Sequence, residues 1–142
     1  MAENKLQRLG YLIDTNIFIK IEKDSLNQGF WKNLPEGIEM GISVITASEL
    51  LHGVHRAVDE QVRLKRSAFV EQILNQIPTY PIDLKVSRQY AQLMSYFSSK
   101  KIAIEAHDLL IGATAVAVNF GVITYNAKDF LRIPGLEVYT PS

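Results

Sequence analysis

Apolar and polar positions alternate in blocks whose period changes along the chain. Tyr11-Leu12-Ile13 is a short apolar run that ends in Asp14-Thr15-Asn16, three consecutive residues that favour helix caps. A strand is therefore expected to pass into a helix beginning with Ile17-Phe18-Ile19. Gly29, Pro35 and Gly37 punctuate the next stretch, ahead of a second candidate strand from Met40 to Ile45. Thr46-Ala47-Ser48-Glu49 has the form of a capping box, and Ala47, Leu50, Leu51, Val54 and Val58 then follow the spacing of one helix face. Two further helix faces are carried by Phe69, Val70, Ile73, Leu74 and Ile77, and by Val86, Tyr90, Leu93, Met94 and Phe97. Pro78 and Pro81 bracket a short extended piece between them. The last third predicts a buried helix from about Ala106 to Val118, a strand from Gly121 to Thr124, a turn or short helix around Phe130, and a final strand from Leu136 to Tyr139. Strands alternating with helices predict an α/β fold: a single three-layer domain with a mostly parallel central sheet flanked by helices.

Composition narrows the chemistry. With 142 residues, 47% of them apolar, the chain can bury the core of one domain and is not disordered. It has no cysteine, which removes zinc-thiolate sites, iron–sulfur clusters, disulfide scaffolds and Cys nucleophiles. Fifteen Lys and Arg against fifteen Asp and Glu argue against a basic nucleic-acid coat, though not against a local basic surface. The first ten residues carry no signal-peptide pattern. The most apolar stretch, Leu109 to Val118, falls short of the ~20 residues that span a bilayer, so a cytoplasmic protein is expected, with no membrane partner.

Ligands of open parallel sheets bind at the carboxyl ends of the strands. Asp14 ends the first strand, Glu49 follows the second, Asp108 opens the buried helix, and Asn126 and Asp129 follow the next strand. Each acid has an ordinary explanation as a cap or a helix-dipole partner. Gathered at one edge, they would repel one another unless a proton or cation intervened. Oxygen donors without Cys suit Mg²⁺ or Mn²⁺, ions that activate water against a phosphodiester. No phosphate-binding P-loop pattern competes.

At these residues the chain resembles the PIN-domain ribonucleases, in particular the VapC-type toxins of toxin–antitoxin pairs. The matching segments are Leu12-Ile13-Asp14-Thr15-Asn16, the run from Ile42 to Leu50 with Gly53, His107-Asp108-Leu109-Leu110-Ile111, Thr124 to Phe130, and Arg132-Ile133-Pro134-Gly135-Leu136. They run in order over residues 11 to 140, with residues 1–10 a preceding extension of no assigned role and 11–142 the PIN-like domain. The resemblance implies a metal-dependent endoribonuclease in which Asp14, Glu49 and Asp108 form the acidic metal site. It further implies that Thr15, Asn16 or Thr46 orients a ligand or a water. The fourth family acid falls at Asn126, which adds no charge, and Asp129 is the candidate to compensate. The family also implies a homodimer and a small antitoxin that fills a groove, for which Phe30 and Trp31 are candidates beside their alternative role as core.

His55, Arg56, Arg63, Lys65 and Arg66 make the densest basic segment. Arg56, Arg63, Lys65 and Arg66 are candidate RNA contacts, although Asp59 and Glu60 interrupt the run. His52 and His107 are read as structural or supporting, because a metal-bound water needs no histidine base. Two other functions compete. A haloacid-dehalogenase-type phosphatase also places an aspartate after its first strand but wants a second acid where Asn16 stands. A catalytically silent PIN-like binding module would explain Asn126.

Overall fold

In the computed structural model, which describes residues 8–24 and 37–141, Gly10–Ile13 forms strand β1 and Thr15–Lys23 forms helix α1. Strand β2, Glu39–Ser43, leads directly into α2, Val44–Arg56, and α3 follows over Glu60–Gln76. Strand β3, Thr79–Tyr80, precedes α4, Leu84–Ser99, and α5, Ala106–Ala117. Strand β4, Gly121–Ile123, a short 3-10 turn at Phe130–Arg132, and β5, Val138–Tyr139, complete the fold. The strands lie in the order β3-β2-β1-β4-β5 and every pairing is parallel. The expected mostly parallel sheet is thus wholly parallel among the described residues.

Alternation along β1 and β4 explains the three layers. Tyr11, Ile13 and Ile123 face one core with Ile17, Phe18, Ala47, Leu50, Val54, Val70 and Ile73, from α1, α2 and α3. Leu12 and Val122 face the other with Val86, Leu93, Phe97, Leu109, Ile111, Ala113 and Phe130, mainly from α4 and α5. Strand side chains point alternately up and down, so both central strands are buried on two sides.

Several boundaries differ from the sequence pattern for identifiable reasons. Helix α1 starts at Thr15, earlier than expected, because Asp14 is its cap. Strand β2 ends at Ser43 rather than Ile45, because the Ser43 hydroxyl accepts from the Ile45 amide at 3.0 Å and starts α2 there. Thr46 to Glu49 is consequently not a capping box but part of the helix itself. Val58 lies beyond α2 and is 96% exposed, so it does not extend that helix's apolar face. Met94 is exposed while Val86, Leu93 and Phe97 on the same helix are buried. The final strand is shorter than expected, at Val138–Tyr139. Phe30 and Trp31 lie outside the described residues.

Strand β1 can pair closely with β4 because Gly121 has no side chain. A Cβ there would stand 2.4 Å from the Tyr11 ring and 2.8 Å from the Glu137 carbonyl oxygen. Gly121→Ala should therefore cost about 1–3 kcal/mol through overpacking. Urea denaturation would detect it, and an unchanged midpoint would contradict the close packing.

Candidate active site

The sheet order reverses between β1 and β4: the chain leaves β1 toward β2 on one side and returns to β4 on the other. Such a switch point leaves a crevice at the strand ends. Asp14 ends β1 there and Thr124 follows β4, and the Thr124 hydroxyl donates to Asp14 Oδ2 at 2.7 Å. The other carboxylate oxygen, Oδ1, accepts from the Thr15 amide at 2.8 Å and caps α1. The Thr124 hydroxyl in turn accepts from Asn16 Nδ2 at 3.1 Å and from the Asn126 amide at 3.0 Å. With both acceptor positions occupied, its proton is directed to Asp14. Asn16 Oδ1 accepts from the Tyr125 amide at 3.2 Å, which ties the chain after β4 to α1.

Glu49 reaches the same edge from α2. Its Oε1 accepts from the Thr15 hydroxyl and its Oε2 meets His107 Nδ1 at 2.8 Å. The structure therefore gives Glu49 partners across the site rather than within its own helix. His107 belongs to α5, and the bond to Glu49 is the first cause holding its pKa above the usual histidine value. Asp108 follows it in the first turn. Glu105 caps α5 by accepting from the His107 and Asp108 amides at 2.9 and 3.1 Å. Asp129 Oδ2 accepts from the Glu105 amide at 3.4 Å, and Asn126 takes part through its backbone.

Electrostatics tie these acids together. Burial, then repulsion from Asp14, Glu105, Asp129 and Glu49, pushes the Asp108 carboxyl up to about 7. Asp14 is 7% exposed, and burial is the main cause raising its pKa. The bonds from Thr124 and Thr15 oppose that rise, while Glu49 and Glu105 add to it. Thr46 is fully buried in the first turn of α2 and its hydroxyl oxygen has no hydrogen-bond partner.

These observations bear on whether a cation suits the site. Among the described residues, no three His, Cys, Asp or Glu side chains already stand together as a coordinating group. The donor set is nevertheless all-carboxylate, and repulsion from neighbouring acids adds to the burial that raises the Asp14 and Asp108 carboxyls. A divalent cation relieves that repulsion as a proton does, so the residues fit a hard metal ion in chemistry and charge.

The basic segment divides. Arg66 pairs with Glu22 at 2.9 Å and donates to the Gly53 carbonyl at 3.1 Å, and Arg63 pairs with Glu60. Arg56 and Lys65 are exposed. Arg56 and Arg66 line a groove of about 530 Å³ that also includes Thr15 and Glu49, so these two cations share a depression with one of the site acids. Lys65 lies instead along a neighbouring apolar groove with Phe18, Val62 and Phe69.

Sequence reasoning missed Thr124, which orients Asp14, and Glu105, which caps the helix bearing Asp108. A threonine at the strand end opposite Asp14 was the available signal for the first. Glutamate is an unusual N-cap, so the second had little signal.

Comparisons with known proteins agree with this architecture. The PIN domain family matches residues 11–136. A Ribonuclease VapC of Rickettsia bellii is 35% identical over 93% of this chain and 96% of its own length. Among solved structures, VapBC2 from Rickettsia felis, bound to a promoter DNA fragment, superposes with a TM-score of 0.80 at 24% identity, covering 94% of this chain and 99% of that one. VapBC-5 from Mycobacterium tuberculosis, described as a member of the VapBC family of toxin–antitoxin systems, gives 0.74 at 25% identity over 94% and 99%. A family model that matches residues 11–136, 35% identity along nearly the full chain and a shared fold lead to one conclusion: the chain belongs to the PIN-domain family, alongside the VapC ribonucleases.

Proposed function

We propose that this protein is a divalent-metal-dependent endoribonuclease that hydrolyses RNA phosphodiester bonds and acts as the toxin of a toxin–antitoxin pair. The observation that carries the reading is the gathering of Asp14, Glu49 and Asp108 at the switch point of the sheet, where burial first and the neighbouring carboxylates second push the Asp108 carboxyl up to about 7. Asp14, Glu49 and Asp108 are the residues that would hold Mg²⁺ or Mn²⁺. Asp129, with Asn126 beside it, would serve a second position. Such an ion lowers the pKa of water and stabilises charge on the departing oxygen.

The chain's own groups supply position. Thr124 and the Thr15 amide fix both oxygens of Asp14, and Thr15 with His107 fixes both oxygens of Glu49. Asn16 holds Thr124 and the Tyr125 backbone, and the unpartnered Thr46 hydroxyl is a buried polar group able to hold a water. Arg56, Arg63, Lys65 and Arg66 are the candidate cations for the RNA backbone, with Arg56 best placed because it is exposed and shares the Glu49 groove. The phosphatase alternative is disfavoured because the Asn16 amide is spent on Thr124 and Tyr125. A small cognate antitoxin, a homodimer and a cytoplasmic setting belong to the same reading. The toxin–antitoxin description of the Mycobacterium tuberculosis neighbour supports the antitoxin. No helix among the described residues is long and apolar enough to cross a membrane.

The test is incubation of purified, antitoxin-free protein with total RNA and Mn²⁺, with the new ends mapped. Discrete cleavage sites are expected; intact RNA together with no Mn²⁺ binding at millimolar levels would favour the silent binding module.

Support of Glu49 by His107 makes a sharper prediction. An asparagine amide nitrogen occupies nearly the place of Nδ1, whereas a glutamine amide nitrogen mimics Nε2. His107→Asn should keep Mn²⁺ affinity close to the parent's, while His107→Gln should lose roughly 10-fold, as metal sites do when a ligand loses its support. Equal affinities in calorimetric titrations of the two variants would show that the bond to Glu49 is unimportant.

A further inference from the structure

We propose that Tyr125 and Lys20 form a nucleotide-binding subsite beside the carboxylates, with the Tyr125 ring stacking a base of the RNA and Lys20 meeting its phosphate. The inference rests on the ribonuclease reading and extends it to residues that no catalytic or metal role accounts for.

Tyr125 follows Thr124, whose hydroxyl is bonded to Asp14. Its amide is fixed by Asn16 Oδ1, so its backbone is anchored to α1. Tyr125 is 36% exposed, so part of this aromatic residue is open to solvent beside the polar site. Lys20 lies four residues after Asn16 on the same face of α1, and its ammonium sits over the Tyr125 ring, 5.2 Å from the centroid. Lys20 is exposed and has no carboxylate partner among the described residues. One helix face thus fixes the backbone of Tyr125 and sets a cation on its ring.

The chemistry suits a nucleotide. An anchored aromatic ring stacks any base, since every base has a π-face, and a cation held over the ring's other side strengthens the platform. An acidic site needs such compensation: RNA approaching five carboxylates is repelled unless a nearby cation offsets them. Tyr96 provides a contrast within the same molecule. Its ring also carries a lysine, Lys100, at 5.2 Å, but it lies on α4, which contributes no residue to the carboxylate site.

The test measures binding of a fluorescent single-stranded RNA to protein carrying Asp14→Asn, so that the RNA stays whole. Oligonucleotides with one abasic position at each site in turn accompany the intact RNA. Tyr125→Ala should bind intact RNA roughly 5- to 100-fold more weakly, and Tyr125→Phe, which keeps the ring, should bind as the parent does. One abasic position should weaken the parent yet leave Tyr125→Ala unaffected, which assigns the stacked base. Lys20→Ala should flatten the dependence of log affinity on log salt by about 0.7. Tyr96→Ala should bind as the parent does. Unchanged affinity in Tyr125→Ala, or an equal loss in Tyr96→Ala, would overturn the subsite while leaving the ribonuclease reading in place. Failure of the unsubstituted protein either to bind or to cleave RNA in Mn²⁺ would overturn that reading and the subsite with it.

Discussion

Asp14→Asn is expected to reduce RNA cleavage by about 10³-fold or more while the protein stays folded. The amide keeps the shape of the carboxyl and one oxygen to accept from the Thr15 amide, so the cap of α1 survives. It brings no charge for a cation, and it turns an N–H toward the Thr124 hydroxyl. That hydroxyl already accepts from Asn16 and Asn126 and now meets a donor where it had an acceptor. The local loss is offset because Asp14 is a buried acid whose charge the fold disfavours, as its raised pKa indicates. Folding should be checked by circular dichroism and thermal melting beside the cleavage assay. A folded Asp14→Asn protein that cleaves at the parent rate would remove Asp14 from the mechanism.

The second large effect concerns stability and has a sign fixed by linkage. Asp108 titrates near 7 in the folded protein against an ordinary value of 3.8. Below pH 3.8 both states hold the proton and the site costs nothing. As pH rises from about 4 to 7 the unfolded chain releases its proton while the folded one retains it, so stability falls, and above 7 the loss is complete. A shift of this size would correspond to about 4 kcal/mol in full, but Asp108 is only half-buried, and screening by solvent reduces this to roughly 1–2 kcal/mol. In EDTA at pH 8, Asp108→Asn should therefore melt roughly 3–6 °C above the parent, with the difference closing toward pH 4. Added Mn²⁺ should reverse the order by stabilising the parent more than the variant. Equal melting temperatures at pH 8 in EDTA would show that neither burial nor the neighbouring carboxylates disfavour the Asp108 charge as described.

The fold was legible where burial writes a period into the sequence. Alternating strands and helices forecast the parallel sheet, and the apolar faces of α3 and α4 were read nearly residue by residue. Boundaries set by a single capping bond were harder. Ser43 and Thr46 are equally good caps in isolation, and only the close of β2 at Ser43 decides between them. That choice changes the meaning of Glu49, which the pattern reads as half of a capping box and the fold sends to Thr15 and His107. The candidate acids were visible because three of them sit at strand or helix ends. His107 was read as a support, but its partner Glu49, 58 positions away, was not visible, and neither was Thr124, which meets Asp14 across 110 positions, because no local period reports such pairings. Glu105 acts locally, on the His107 and Asp108 amides, yet glutamate carries little cap signal. Neighbouring helix positions diverge by about 100°, yet His107 and Asp108 both serve this edge. Glu49 arriving from α2 meets the first of them, and repulsion from Asp14, Glu105, Asp129 and Glu49 reaches the second.

The balance of fifteen acids and fifteen bases also takes on a different meaning. With Asp14, Glu49 and Asp108 assigned to a cation, twelve acids remain against fifteen bases over the rest of the chain. Neutrality is then a concentrated acidic pocket set in a mildly basic surround, a distribution compatible with RNA approaching a negatively charged site.

The most direct measurement is the rate at which metal-stripped protein cleaves a defined RNA as Mn²⁺ is added back. No cleavage is expected in excess EDTA, with recovery that saturates with Mn²⁺ in the parent and no recovery in Asp14→Asn at any concentration. Cleavage at full rate in excess EDTA would contradict a metal-dependent mechanism.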